Sequence, residues 1–257
     1  MSLTPQGRKN RDHDEYFGNF TSLPFERILE EFRLKRSIEI LAKLEKKEFI
    51  SVLEIGPGYN PLSPRIFPES EKTILEPSKI LYEHNVSQHE GDSTTKIINE
   101  DINTFYKSVS TKFDLVILSS VLHELPNPSQ ELSKINSLLK SNGLLFIVTP
   151  NNQSIHRLLG VFLGILASTS SLTSTEIKMQ QHNNFSITSL QDLLNKLNFK
   201  IDLAITSFLK PHTHQQMQDW VDEGLLTKTK LDSLYELSEL FDPYNSEIFV
   251  LARKHEQ

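Results

Sequence analysis

Apolar residues along the chain follow two spacings, one typical of helices and one typical of strands. From residue 25 to about residue 47 they recur every three or four positions, which predicts a long amphipathic helix. Short apolar runs predict strands at residues 50–55, 72–75, 95–99, 113–119 and 144–149. Strands that alternate with helices at this spacing predict an α/β fold with a parallel sheet and helices on both of its faces.

The second half of the chain departs from simple alternation. Residues 129–140 and 189–198 have helical patterns, and the first of these stops at Asn142-Gly143. A strand with alternating apolar and polar residues follows from residue 199, and a last strand is predicted at residues 247–253.

Composition and charge narrow the class of protein. The chain has 257 residues, 37% of them hydrophobic, which is enough for one α/β domain with additions. Its net charge of −6 argues against a nucleic-acid partner, and its lack of cysteine excludes disulfides and thiolate chemistry. Residues 1–15 have no signal-peptide core, and the longest apolar run, residues 158–167, is shorter than the ~20 residues that span a bilayer. We therefore expect a cytoplasmic protein with no transmembrane segment.

The clearest chemistry lies at the ends of the first two predicted strands. The first strand ends in Glu54 and runs into Gly56-Pro57-Gly58, and about twenty residues later the second ends in Glu76. Glycines after a strand let the backbone approach a ligand, and a carboxylate after the next strand can accept hydrogen bonds from ribose hydroxyls. This spacing predicts a nucleoside site at the carboxyl edge of the sheet.

A dinucleotide is the first alternative for that nucleoside. A nicotinamide or flavin site requires a third glycine, in the pattern Gly-x-Gly-x-x-Gly, where this chain has Asn60-Pro61. Glu54 would also repel a pyrophosphate, although it could accept from an ammonium group directly or through water. The sequence therefore favours a nucleoside with a cationic amino-acid tail.

Five segments in order resemble the motifs of class I S-adenosylmethionine-dependent methyltransferases, in the small-molecule (type 11/12-like) branch. They are residues 53–58, 74–78, 100–102, 113–126 and 139–147, and residues 182–199 resemble a later helix-to-strand segment of that branch. The resemblance runs from about residue 25 to the C-terminus. It implies a Rossmann-like, doubly wound sheet of seven strands, mostly parallel with an antiparallel last strand, and helices on both faces.

The resemblance also implies S-adenosyl-L-methionine as cofactor. The residues that it places around this cofactor are Glu54, Gly56, Pro57, Gly58, Glu76, Pro77, Asp101, Ile102, Ser119 and Ser120. In this set Glu76 would bind the ribose and Asp101 the adenine amino group, although Glu100 beside it could take that role. Two departures affect the acceptor more than the cofactor: Asn60 replaces a third glycine, and residues 211–246 are longer than the usual hairpin.

The resemblance further implies one methyltransferase domain at residues 25–257. Helical additions are expected at about 151–180 and 211–246, and a flexible segment or lid at residues 1–24. The apolar run at 158–167 indicates core or a homodimer interface more than a lipid-binding face.

His123 is the only histidine in a motif beside the predicted methyl group, so it is our candidate for a general base; a surface histidine at a helix start is the alternative. Candidate acceptor contacts are Tyr16, His156, Arg157 and His182. Tyr16 could form part of a lid over the cofactor or lie in a disordered tail, and the other three could instead be solvated loop residues. His212 and His214 could be metal ligands, but without cysteines or an acidic pattern we interpret them as solvated loop residues and expect no metal.

Together these features predict a small-molecule methyltransferase, O-directed, that transfers the methyl group in line within a closed pocket. The alternative is a non-catalytic cofactor-binding module or subunit whose surface helices dock a partner. A nicotinamide oxidoreductase is disfavoured by Glu54 and by the missing third glycine.

Overall fold

The computed structural model describes residues 23–44 and 51–255. The strands are β1 (Ser51–Ile55), β2 (Glu71–Leu75), β3 (Thr95–Ile98), β4 (Phe113–Ser119), β5 (Leu139–Pro150), β6 (Phe199–Ser207) and β7 (Glu247–Lys254). The helices are α1 (Glu26–Leu41), α2 (Ser63–Ile66), α3 (Lys79–Gln88), α4 (Ile102–Ser108), α5 (Pro128–Leu138), α6 (Ile155–Phe162), α7 (Ser174–Lys178), α8 (Ile187–Lys196), α9 (His214–Asp222) and α10 (Lys228–Leu237).

These strands form one seven-stranded sheet in the order β3-β2-β1-β4-β5-β7-β6. Pairing is parallel except that β7 runs antiparallel to β5 and β6, which confirms the predicted fold class. The strand order reverses between β1 and β4, and in open α/β sheets ligands bind at the carboxyl edge at such a point. The glycine turn after β1 therefore lies where a ligand is expected.

Apolar layers cover both faces of the sheet. Alternate residues of the central strands point to opposite sides, so Leu53 and Val116 join one core cluster while Val52 and Leu115 join the other. Helices α4, α5 and α8 cover the first face, and α1 and α2 cover the second. The doubly wound arrangement follows from this two-sided burial of the strands.

The boundary between α5 and β5 differs from the prediction. The helix predicted to residue 140 ends at Leu138, and β5 begins at Leu139, five residues before the predicted strand. Leu139 is buried and pairs with Phe113, and the register with β4 then shifts before Leu144. Asn142, with a φ of 59°, lies inside this irregular start of β5 and does not end the helix.

Helix α1 ends at Leu41, so it is shorter than the predicted segment, whose residues 45–47 lie outside the described residues. It links the glycine turn to the far strands, because Asn60 Nδ2 donates to Glu30 and Arg33 Nη2 donates to Glu247 on β7. Segments 151–180 and 211–246 hold α6, α7, α9 and α10. None of the helices within residues 23–44 and 51–255 is long and apolar enough to cross a membrane.

Candidate active site

The turn after β1 is held open by its two glycines. Both have positive φ, +61° at Gly56 and +67° at Gly58, and Gly56 N donates to Leu75 O at 2.7 Å. A Cβ at Gly56 would lie 2.8 Å from Cγ2 of Val121, whereas one at Gly58 would meet no atom within 4 Å. The backbone at Gly58 therefore borders open space, as a close approach to a ligand requires.

Glu76 stands directly beside this turn, at the end of β2. Its Oε2 accepts from Gly58 N at 3.2 Å and its Oε1 accepts from Ser78 N at 2.9 Å. The side chain is buried, and Asn99 Nδ2 donates to its backbone oxygen. The carboxylate is fixed in direction at the predicted ribose position.

Glu54 has a role that its sequence position did not reveal. Its Oε1 accepts from Leu62 N, and its Oε2 accepts from both N and Oγ of Ser63, at 2.6 to 2.8 Å. Burial raises the pKa of this carboxyl while these hydrogen bonds lower it. In the structure Glu54 anchors the start of α2, and its predicted contact with the ammonium group of the cofactor stays a prediction.

The predicted adenine residues lie after β3. Asp101 is exposed and caps α4, because its Oδ1 accepts from Thr104 N at 2.7 Å. Ile102 is 2% exposed and belongs to the core cluster beneath α4. Glu100 is half-buried beside them, so both acids remain candidates for the adenine amino group.

Ser119 and Ser120 end β4 at the switch point, as predicted. Ser120 has a φ of +59°, its N donates to Val148 O, and its buried Oγ has no hydrogen-bond partner among the described residues. A buried hydroxyl with no partner indicates a missing ligand or water. With Gly58 and Glu76 nearby in the fold, these residues fit the nucleoside cofactor that the sequence predicts.

His123 is buried and is not the surface residue of the alternative interpretation. It lies in the 3₁₀ turn Leu122–Glu124 just after β4. Its Nδ1 is 3.4 Å from Oγ1 of Thr149, and its Nε2 is 3.8 Å from Oε1 of Glu124. A nearby carboxylate stabilises a protonated imidazole, which suits a group that removes a proton.

The predicted acceptor contacts have different surroundings. Tyr16 lies outside the described residues. His182 is next to the candidate base, because its N donates to His123 O at 3.1 Å. His156 is partly buried, with Nδ1 3.0 Å from Ser154 Oγ, and burial and then the charge of Lys210 lower its pKa well below its usual range.

Arg157 is engaged within the chain. Its nitrogens donate to Glu176 Oε1 at 2.7 Å and to the backbone oxygens of Thr169 and Ser171. These bonds hold α7 and the loop before it, which contains Thr169 and Ser171, onto α6. A contact between Arg157 and the acceptor stays a prediction, and the structure gives this residue a structural role.

The interpretation of His212 and His214 as solvated loop residues is wrong for His214. His214 begins α9, and its buried Nδ1 lies 3.8 Å from Glu26 Oε2 because α9 packs against the start of α1. His212 packs edge-on against Trp220 at 4.5 Å. The two rings thus have separate partners.

Two polar residues at this edge were missed from the sequence. Asn85 on α3 is fully buried, and its Nδ2 donates to Gly58 O at 2.9 Å, which fixes the turn from outside. Leu81 and Asn85 are four residues apart and both buried, so a polar residue on the apolar face of this helix was the available signal. Lys210, 2% exposed, follows β6 in a segment with no motif.

Comparisons with known proteins identify the family of this chain. A family model described as a methyltransferase domain matches residues 26–204. The probable polyketide synthase 14 of Dictyostelium discoideum is 23% identical over 239 residues, which are 83% of this chain and 8% of the synthase. The chain therefore spans a small fraction of that relative.

Solved structures share the fold at low sequence identity. The plantazolicin methyltransferase BamL, in complex with a triazolic desmethylPZN analog and SAH, has a TM-score of 0.55 and 15% identity, with 95% of this chain and 97% of that chain covered. The CurJ carbon methyltransferase has a TM-score of 0.51 and 15% identity, with 86% of this chain and 52% of that chain covered. The family match covers more than half of the chain, so this protein belongs to the S-adenosylmethionine-dependent methyltransferases.

Proposed function

We propose that this methyltransferase acts on a small molecule and transfers the methyl group to an oxygen atom, with His123 as general base. When bound, S-adenosylmethionine supplies an electrophilic methyl group on a sulfonium. The chain must then align the acceptor in line with the methyl–sulfur bond, remove the hydroxyl proton and exclude water. The observation that carries the proposal is the buried His123 at the end of β4, close to Thr149 and Glu124.

Separate residues would bind the cofactor and remove the proton of the acceptor. Glu76, Gly58 and Ser120 would hold the cofactor. As the methyl–sulfur bond is replaced by the new carbon–oxygen bond, the proton of the acceptor would pass to Nδ1 of His123, the ring nitrogen that does not face Glu124. Glu124, 3.8 Å from His123 Nε2, would then stabilise the imidazolium. A general base commonly contributes about 10²–10⁴-fold in rate, so its loss is measurable.

Methylation of carbon is the second candidate, favoured by the polyketide synthase relative and by the likeness to a carbon methyltransferase. An acidic carbon between two carbonyls also needs a base, and His123 would serve it in the same position. The two candidates therefore differ in the acceptor and not in the residues.

The experiment uses S-adenosylmethionine with a ¹³C-labelled methyl group and a panel of phenols, carboxylic acids, amines and β-keto thioesters. We expect a labelled product whose methyl chemical shift is that of a methyl on oxygen, and loss of about a hundredfold or more in single-turnover rate in His123→Asn. A methyl on carbon would select the second candidate. An unchanged rate in His123→Asn would remove His123 as base.

We also propose that two copies of the chain associate through the end of α6. Leu159, Phe162, Leu163 and Ile165 are all exposed there, and Phe162 is 88% exposed. Such a contiguous apolar surface is typical of an interaction site. Sedimentation equilibrium should give a dimer that Phe162→Ser shifts toward monomer, and a wild-type monomer would contradict this. The cytoplasmic location stays a prediction of the sequence.

A further inference from the structure

Six ionisable side chains meet at the side of the sheet beyond β5, and neither the cofactor site nor His123 accounts for them. They are Glu26, Arg33, His156, Lys210, His214 and Glu247, called the distal cluster below. They come from α1, from the starts of α6, α9 and β7, and from the segment after β6. Five separate parts of the chain thus bring ionisable side chains into one buried region.

Few contacts join the members of the cluster. Arg33 Nη2 donates to Glu26 Oε1 and to Glu247 Oε1, both at 3.0 Å. Lys210 Nζ has one hydrogen-bond partner within the described part of the chain, His156 Nε2, at 3.4 Å. A lysine ammonium has three N–H donors, so this buried group is only partly satisfied.

Several buried atoms of the cluster have no hydrogen-bond partner among residues 23–44 and 51–255. These atoms are Arg33 Nε, His214 Nδ1 and Glu247 Oε2. Buried polar atoms are nearly always hydrogen-bonded, and leaving one unsatisfied costs about 1–3 kcal/mol. Their concentration in one place indicates a polar group that the described residues do not supply.

The charge of the cluster limits what that group can be. Two carboxylates, Glu26 and Glu247, face two cations, Arg33 and Lys210. Burial lowers the pKa of both histidines well below its usual range and the charge of Lys210 lowers it further, which favours their neutral forms. A carboxylate or an ammonium group would add an unbalanced buried charge, which is costly. An uncharged group that both donates and accepts hydrogen bonds matches Lys210 Nζ and Glu247 Oε2.

The cluster lies close to the place of methyl transfer. Glu247 pairs with Pro150 on β5, and the preceding residue Thr149 has its Oγ1 3.4 Å from His123 Nδ1. Successive residues of a strand point to opposite faces, so the side chains of Thr149 and Glu247 face opposite sides of the sheet. Both stand at its carboxyl edge, so one molecule that binds over this edge can reach His123 and the cluster.

We propose that the distal cluster binds an uncharged, hydrogen-bonding end of the methyl acceptor, a hydroxyl or carboxamide group remote from the atom that is methylated. This names the substrate class of the same site and rests on the small-molecule function proposed above. Lys210 donates to this group and Glu247 accepts from it, so the pair sets specificity.

The test compares three probes with one scaffold and different charge: 3-phenylpropanamide, 3-phenylpropanoate and 3-phenylpropylamine. Binding to the wild-type complex with S-adenosylhomocysteine is measured by calorimetry. We expect the amide to bind at least about tenfold more tightly than either ion, since each lost charged hydrogen bond is worth about that factor. Equal or tighter binding of a charged probe would overturn the proposal.

Variants then locate the binding. Lys210→Met and Glu247→Gln should each weaken amide binding about tenfold. The same substitutions at the exposed ion pair of Lys35 and Glu236, Lys35→Met and Glu236→Gln, should leave it unchanged. Amide binding that is equal in all four variants would overturn the proposal, as would a crystal structure with the amide present that shows only water at Lys210 Nζ and Glu247 Oε2.

Binding of S-adenosylhomocysteine to each variant separates this proposal from the one on which it rests. Unchanged affinity shows that Lys210→Met and Glu247→Gln are folded and keep the cofactor site. Failure of the wild type to bind S-adenosylhomocysteine would instead contradict the methyltransferase function, whatever the probes do.

Discussion

At the scale of single residues, Glu76 is the acid with the most direct link to the cofactor turn. Its two oxygens accept from Gly58 and Ser78, so the carboxylate both faces the predicted ribose and holds the turn. His123 lies elsewhere, in the 3₁₀ turn after β4, beside Thr149 and Glu124. Binding and catalysis should therefore respond to different substitutions.

We expect Glu76→Ala to weaken S-adenosylhomocysteine binding by at least about tenfold, because a hydrogen bond to a charged group contributes about 1.5–3 kcal/mol. His123→Ala should change that affinity much less. Calorimetry measures both, and Glu76→Gln, which keeps one acceptor oxygen, should fall between wild type and Glu76→Ala. A larger effect in His123→Ala would reverse the two assignments.

Asn85 carries a second prediction at this scale. Asn85→Asp replaces the amide that donates to Gly58 O with a carboxylate, so the turn loses a donor and gains a repulsive contact. We expect S-adenosylhomocysteine to bind about fivefold to tenfold more weakly, by roughly the value of one hydrogen bond. The matched control is Asn195→Asp, exposed on α8, which should bind as wild type does. An unchanged affinity in Asn85→Asp would show that the turn keeps its conformation without the hydrogen bond from Asn85.

The difference between Glu76 and Asn85 shows what sequence can indicate about a site. Glu76 was predicted because it ends a strand at a fixed distance from two glycines. Asn85 was missed because its partner, Gly58 O, is 27 residues away and a backbone oxygen leaves no sequence signal. Contacts of that kind depend on how α3 packs.

At the scale of elements, the two glycines of the turn share a backbone conformation but differ in the space beside them. Both glycines have positive φ, which costs an alanine roughly 1–2 kcal/mol, but only Gly56 also faces Val121. We expect Gly56→Ala to lower the free energy of unfolding more than Gly58→Ala, as measured by urea titration. Adding Val121→Ala to Gly56→Ala should recover part of the loss, and equal losses in the two glycine variants would contradict the contact.

The bounds of an element were predicted well where an apolar run is continuous, and poorly where strand pairing sets the boundary. β4 was placed at its observed bounds because its apolar run is continuous. The start of β5 was not, since Leu139 joins the sheet by pairing with Phe113 across an irregular register, and the sequence pattern there continues that of α5.

At the scale of the whole molecule, the distal cluster should link stability to pH through Lys210. Burial lowers the pKa of Lys210 to about 8, against opposing effects of Glu26 and Glu247, from an ordinary value of 10.5. Between these two pH values the unfolded chain binds more protons than the folded chain, so the stability of the wild type should rise with pH in that window.

The expected gain from pH 8 to 10.5, relative to Lys210→Met, is about 3 kcal/mol, because each pKa unit corresponds to about 1.4 kcal/mol. Urea titrations at several pH values measure it, and Lys35→Met should keep the wild-type pH dependence. Parallel curves for wild type and Lys210→Met would show that this lysine has an ordinary pKa in the folded chain.

The sequence by itself determined the α/β class and the places of the glycine turn, Glu76 and His123 just after strands of the sheet, because each depends on periodicity or on residues joined by one strand and one turn. The tertiary structure alone decided that Glu54 anchors α2, that Arg157 holds a loop and that six ionisable residues from distant segments form the distal cluster. Burial and charge balance there arise only when α1, β7 and the segment after β6 pack together, and no local sequence pattern predicts that packing.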